Sequence, residues 1–167
     1  MSHVLAPEQL TVITNTGDDF NHYGLRICPD IDTALYTLSG LSDQEKGWGR
    51  AEETWRFMQA LTALGGEGWF NLGDTDLALQ LIRTQSLAEG KNLTQVTQML
   101  ADTMGIHLTL LPMTNDRVAT KVMTKSGQLD FQHYFVRDQC RPEVTGFSFQ
   151  GLSEASVNPQ LIRSLDS

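Results

Sequence analysis

The sequence predicts an α/β domain with helices packed on a mixed sheet, and three observations carry the prediction. Apolar residues switch repeatedly between strand spacing and helical spacing along the chain. Asp, Asn and Pro stand where the helical segments begin and Gly where they end. No repeat, low-complexity tract or linker interrupts the 167 residues, so a single domain over 1–167 is expected.

Leu10 to Ile13 is a short apolar, β-branched run that ends at Asn15-Thr16-Gly17-Asp18-Asp19, which reads as a buried parallel strand followed by a polar loop. Ile31, Ala34, Leu35, Leu38 and Leu41 recur at helical spacing behind Pro29, with Asp30 as the expected N-cap. A second helix is expected over Glu52 to Leu64, stopped by Gly65-Gly66, residues that readily take the left-handed C-cap conformation. Asp74 opens a third, whose expected apolar face is Leu77, Ala78, Leu81 and Ile82. Asn92-Leu93-Thr94-Gln95 has the form of a capping box, and Gly105 closes the helix that follows. Ile106 to Met113 reads as a strand. Val118 to Met123 and Leu129 to Val136 flank Lys125-Ser126-Gly127-Gln128 as a hairpin, Glu143 to Phe149 is a further strand, and Asn158-Pro159 starts a last helix.

Composition narrows the function classes. Twelve Lys and Arg against 20 Asp and Glu give a net charge of −8, and no basic cluster exists that would release counterions from nucleic acid. The apolar runs fall far short of the roughly 20 residues that span a bilayer, and the first ten residues lack the blocks of a signal peptide. A cytoplasmic protein with neither nucleic-acid nor membrane partners is expected. Cys28 and Cys140 read as free thiols.

Carboxylates carry the strongest chemical signal. Asp18 and Asp19 follow the first strand, where open α/β sheets place ligands; Asp30 and Asp32 lie at one helix start, Asp74 and Asp76 at another. Mg²⁺ prefers such oxygens and completes its shell with water and substrate phosphate. Helix capping explains Asp30 and Asp74 equally well. His3, His22, His107 and His133 lack metal-ligand spacing, and no nucleophile elbow is present. Trp48, Trp55 and Trp69 suit either a core or a stacked aromatic ligand. Arg137 and Arg141 flank a loop after a strand and, with Arg83, are the phosphate-binding candidates; solvent suits them as well. Gly65-Gly66-Glu67-Gly68 follows a helix and reads as its stop, not as a phosphate cradle.

Read in order, NTGDDF (Asn15 to Phe20), CPDIDTALYTLSGL (Cys28 to Leu41), GWG (Gly47 to Gly49), ALGGEGWFNLGDTDLA (Ala63 to Ala78), IRT (Ile82 to Thr84), LPMTNDRVAT (Leu111 to Thr120) and FQHYFVRDQCRPEV (Phe131 to Val144) resemble the 2-phospho-L-lactate transferase family of coenzyme F-420 biosynthesis. The resemblance runs from about Leu10 to Ser156. It implies a Rossmann-like, incomplete doubly wound fold, and a transferase that moves a phospholactyl, phosphoenolpyruvyl or phosphoglyceryl group from a GDP-linked donor to the deazaflavin alcohol FO, with GMP leaving and Mg²⁺ required. It implies catalytic roles for Asp18 and Asp19, metal contacts for Asp18, Asp19 and Asp32, and deazaflavin contacts for Asp32 and Asn71. A homodimer is compatible with it.

The chain departs from the family pattern at four places. Asn71 stands where a basic residue is usual, Thr75 where arginine is common, Gln80 where histidine is common and Asn115 where aspartate is frequent. The family's glycine-rich N-terminal strand and loop and its C-terminal portion have no counterpart here, so the chain is expected to be the central part of a larger transferase. The alternatives from other classes are a nucleotide- or sugar-nucleotide-binding regulatory protein of the related gluconeogenesis-factor family and an inactive ligand-binding fragment.

Overall fold

A computed structural model describes residues 6–47 and 49–165, and of Glu8 the backbone alone. His3 and Trp48 lie outside the described residues. After a 3₁₀ turn (Pro7–Gln9), β1 (Thr11–Thr14) runs parallel to β4 (Thr109–Pro112) with Val12 opposite Leu110. Between them come β2 (Phe20–His22), β3 (Leu25–Ile27), α1 (Pro29–Leu38), α2 (Arg56–Ala63), α3 (Asp74–Ala88) and α4 (Leu93–Thr103). The chain continues through β5 (Ala119–Thr124), β6 (Gly127–Asp130), a turn of π-helix (His133–Arg137), β7 (Val144–Gln150) and α5 (Pro159–Leu165).

The α/β class is as the sequence predicts, and among the described residues its strands form three small sheets: β1 with β4, β2 with β3, and an antiparallel set in the order β6-β5-β7. The expected hairpin is β5–β6, with Thr124 opposite Gly127. Its second strand is shorter than Leu129 to Val136, because the chain turns into the π-helical segment after Asp130. The β2–β3 hairpin escaped the periodicity reading since each strand has only three residues. Its turn places Tyr23 at φ 50° and Gly24 at φ 78°, the pair of positive φ angles that a type I′ turn requires.

The core lies between α1, α4 and the β1–β4 pair. Ile31 and Leu35 of α1, Val96 and Ala101 of α4 and Leu110 of β4 are fully buried there. A second cluster, Phe20, Ile27, Met58 and Leu72, packs α2 against the β2–β3 hairpin. Asn92 and Gln95 exchange side-chain bonds with each other's backbone N–H at 2.9 Å, so the capping box forms as expected. Gly65 (φ 86°) and Gly105 (φ 71°) end their helices in the left-handed conformation. Both cysteines are free thiols, Cys28 buried and Cys140 exposed. No helix among the described residues is long and apolar enough to cross a membrane.

Three expectations are corrected. The N-cap positions belong to Cys28 and Gly73, so Asp30 and Asp74 fall in the first turns. α2 begins at Arg56 rather than Glu52, because Glu52 takes φ 58°. The face of α3 that turns inward is polar: Gln80, Arg83 and Ser86 are buried while Leu81 and Ile82 are about half exposed.

Leu35, with no exposed surface, tests the main core. Leu35→Ala is expected to destabilise the protein by about 2–5 kcal/mol in urea unfolding, the sum of lost transfer energy and a residual cavity.

Candidate active site

The loop after β1 is shaped by Asn15, whose Oδ1 accepts from the Gly17 N–H at 2.9 Å and whose Nδ2 donates to Asp30 Oδ2 at 2.9 Å. This ties the loop to the first turn of α1 and fixes Asp18 and Asp19. Asp18 is half-buried; burial and the Asp30 charge push its pKa up, against hydrogen bonds from Thr120 and Asn15. Asp19 is buried, and the β2–β3 register returns Arg26 to it, with Nη2 at 3.0 Å from Oδ2. Burial outweighs that cation and raises Asp19 to about 6, and its Oδ1 has no hydrogen-bond partner.

Asp32 lies on the buried face of α1, and Arg83 reaches it from α3. Arg83 has no solvent exposure. It donates through Nη2 to Asp32 Oδ1 and through Nη1 to Asp32 Oδ2 at 3.3 Å, the Arg26 carbonyl at 3.3 Å and Gln80 Oε1 at 2.6 Å. Burial acts to lower the Arg83 pKa, yet Asp32, with Cys28 and Asp19, carries it above its ordinary value. It is a fixed cation. Gln80 Nε2 donates to Asp32 Oδ2 at 2.8 Å and to Asp76 Oδ1 at 3.2 Å, and the Tyr36 hydroxyl donates to the same Asp76 oxygen at 2.5 Å. Burial and the nearby Asp32 charge raise Asp76 to about 6.

The start of α3 is held by an exchange of caps. The Asp74 carboxylate accepts from the N–H groups of Arg56 and Phe57 and so caps α2, while Glu53 accepts from those of Thr75 and Asp76 at 2.9 Å and caps α3. A Cβ at Gly73 would meet the Glu53 carboxylate, so a side chain there would have to displace this cap.

Two cavities flank this network. One, of about 550 Å³, is lined by Asp32, Tyr36, Phe70, Asn71, Asp76 and Phe135, among others. The second, of about 420 Å³, is lined by Asp19, Arg117, Lys121, Asp130, His133 and Gly151, among others. The sequence-predicted Asp32 and Asn71 thus share one cleft with Phe70. Trp69 instead joins an aromatic cluster with Phe20, His22, Phe70 and His133. Trp55 packs against the second apolar cluster.

Of the arginines suggested for phosphate, Arg83 is spent on Asp32 inside the protein. Arg137 and Arg141 are exposed and bond to their neighbours Asp138 and Gln139. Among the described residues no three His, Cys, Asp or Glu side chains converge in a way that could hold a metal ion. Asp32 does not fit that role, because the Arg83 guanidinium engages both of its oxygens. Asp18 and the unpartnered Oδ1 of Asp19 fit a hard cation that takes one or two carboxylates and completes its shell with phosphate and water.

Sequence reasoning missed Arg26, Arg117, Lys121 and the role of Gln80. Asp76, Gln80 and Arg83 stand at i, i+4 and i+7, the spacing of one helix face, and a polar stripe at that spacing was the available signal.

Residues 2–167 match the family model described as 2-phospho-L-lactate transferase CofD. The chain belongs to this family. It is 40% identical over 166 residues to a protein of Thermobifida fusca named phosphoenolpyruvate transferase, a match covering 96% of this chain and 52% of that one. A phosphoenolpyruvate transferase of Mycobacterium tuberculosis is likewise 40% identical over 171 residues, covering 98% of this chain and 52% of its own. The chain therefore spans about half the length of the family's curated relatives it matches. A crystal structure of a UPF0052 family protein from Bacillus halodurans shares the fold, with a TM-score of 0.53 at 10% identity over 93% of this chain and 47% of that one.

Two outcomes test the network. Arg83→Met leaves Asp32 without its buried cation and should cost about 3–5 kcal/mol in urea unfolding, whereas Asp32→Leu/Arg83→Met should recover most of that loss. Asp76, raised from 3.8 to about 6 in the fold, binds its proton more tightly there than in the unfolded chain. Ionising it therefore removes stability as pH climbs from about 4 past 6. Asp76→Asn should accordingly raise Tm at pH 7.5, and the gain should vanish below pH 4.

Proposed function

We propose that the protein containing this chain is a cytoplasmic transferase of coenzyme F-420 biosynthesis. In this reading it moves a three-carbon acid phosphoryl group from a GDP-linked donor to the deazaflavin FO and releases GMP. The observation that carries the reading is the cleft of about 550 Å³ that Asp32 and Asn71 share with Phe70 and Phe135. That volume lies in the range of small-molecule sites, and two aromatic rings supply the apolar wall that a flat tricyclic ligand needs. Asn71 offers the ring both a donor and an acceptor. Asp32, pinned by Arg83, retains lone pairs for a ring N–H or a hydroxyl of the acceptor. Among the three acids, phosphoenolpyruvate is favoured by the names of the relatives at 40% identity.

The donor's phosphates fit the second cavity. Arg117 makes no ion pair or side-chain hydrogen bond among the described residues, and its planar fork suits a phosphate oxygen pair. Lys121 stands beside it, held by Asp130. Asp18 and Asp19 are the residues that would hold Mg²⁺, which when bound neutralises charge on the diphosphate. Arg117 and Lys121 thus take the phosphate role in place of Arg83, Arg137 and Arg141. Positioning and charge neutralisation supply most of the catalysis in such a transfer.

Deazaflavin fluorescence gives the direct test on the intact protein. Asn71→Ala should weaken FO binding by about 0.5–1.5 kcal/mol, the worth of one hydrogen bond, and Asn71→Lys should be tolerated. FO affinity unaltered by both Asn71→Ala and Phe135→Ala would contradict the reading. GDP binding without any transfer to FO would favour the regulatory alternative. Millimolar Mg²⁺ should raise the Tm of the wild type and leave that of Asp18→Asn unmoved.

A further inference from the structure

The acceptor cleft contains two carboxylates, and the structure treats them differently. Asp32 lies against the Arg83 guanidinium through both oxygens. Asp76 has no cation bonded to it: Oδ1 accepts from the Tyr36 hydroxyl and from Gln80 Nε2, while Oδ2 has no hydrogen-bond partner among the described residues, although the side chain lines the cleft. The shared Gln80 amide couples the two at 2.8 and 3.2 Å. Two acids in one site, one engaged by a guanidinium through both oxygens and the other left with an open oxygen, form the arrangement that separates a binding carboxylate from a proton-transferring one.

We propose that Asp76 is the general base of the transfer, taking the proton from the acceptor's hydroxyl as that oxygen attacks phosphorus. The inference rests on the cleft being the acceptor site. In the step the hydroxyl oxygen forms a bond to the donor phosphorus nearer the three-carbon acid. The bridging P–O bond to the GMP phosphate breaks and its electron pair leaves with GMP, and the hydroxyl proton moves to Asp76 Oδ2. Charge and atoms balance with no further reactant. Oδ1 keeps its Tyr36 and Gln80 bonds throughout, so the carboxyl does not need to rotate.

The groups that face Asp76 fix its behaviour with pH. Asp32 and Tyr36 reach it from α1, Arg83 lies on its own helix, and Glu53 caps its backbone N–H from the loop before α2. Lys46 and Arg50 line the small hollow on its other side. Burial and Asp32 hold the carboxyl near 6, against Tyr36, Gln80 and Arg83, so it is mostly ionised at pH 7.5 and still a competent proton acceptor.

Asp76→Asn tests the assignment in the intact protein, because the amide Oδ1 still accepts from Tyr36 and Gln80. Expected are FO affinity within about twofold of wild type by fluorescence, kcat lower by about 10²–10⁴-fold, and loss of the limb in log kcat that falls below pH 6 in the wild type. Tyr36→Phe removes a hydrogen bond that favours the ionised form, so the same limb should move to higher pH while turnover persists. A kcat for Asp76→Asn within about threefold of wild type, or an acid limb unchanged in both variants, overturns the base assignment and leaves the cleft reading standing. Wild-type protein that turns over an acceptor bound elsewhere, with Asn71→Ala silent in binding, overturns both.

Discussion

The Arg83–Asp32 pair is the constraint on which the rest of the site depends. Burying a guanidinium with no exposed surface costs several kcal/mol even after relaxation, and the protein offsets that cost with acceptors on its two terminal nitrogens, while Nε has no hydrogen-bond partner among the described residues. Asp32 supplies two, Gln80 one and the Arg26 carbonyl a fourth. Each comes from a different element: α1, α3 and β3. The cation therefore fixes how these elements sit against one another, and the cleft wall is the outer side of that arrangement. A buried ion pair is poor evidence for stability, but here it sets geometry.

Gln80 completes the network because its amide accepts from the guanidinium through Oε1 and donates to both carboxylates through Nε2. A histidine at this position, the residue that the resemblance implies, would bring a proton that titrates near neutrality. Glutamine does not titrate, so Gln80 adds no variable charge of its own, and the groups that burial raises are Asp76 and Asp19. Both are held near 6 mainly by burial, yet they sit on different cavities, one beside aromatic rings and the other beside Arg117 and Lys121.

Much of this was legible in the sequence where local chemistry decides. The capping box at Asn92, the glycine stops at Gly65 and Gly105 and the β5–β6 hairpin are short-range signals that the structure carries, and the run of family motifs agrees with the family match over residues 2–167. Asp32 and Asn71, 39 positions apart, were paired only by resemblance, and the fold brings them to one cleft. Sequence failed where a long-range partner overrides a local pattern. α3 reads as an amphipathic helix with Leu81 and Ile82 inward, but the requirement to satisfy Arg83 turns the polar face in and leaves those two half exposed. Asp74 reads as the cap of its own helix and instead caps α2, a pairing no spacing rule contains. The expected three-carboxylate metal site meets the same kind of partner, since Asp32 is engaged by a cation 51 residues away.

The central claim is that a cleft organised by a buried arginine receives a flat acceptor. A crystal structure of the intact protein with the deazaflavin bound tests it most directly. The account predicts the ring between Phe70 and Phe135, with Asn71 and Asp32 within hydrogen-bonding distance of it and the Arg83–Asp32 pair unmoved. A ring seated in the cavity of Arg117 and Lys121, or an Asp32 carboxylate that has left Arg83 to meet the ligand, would contradict it.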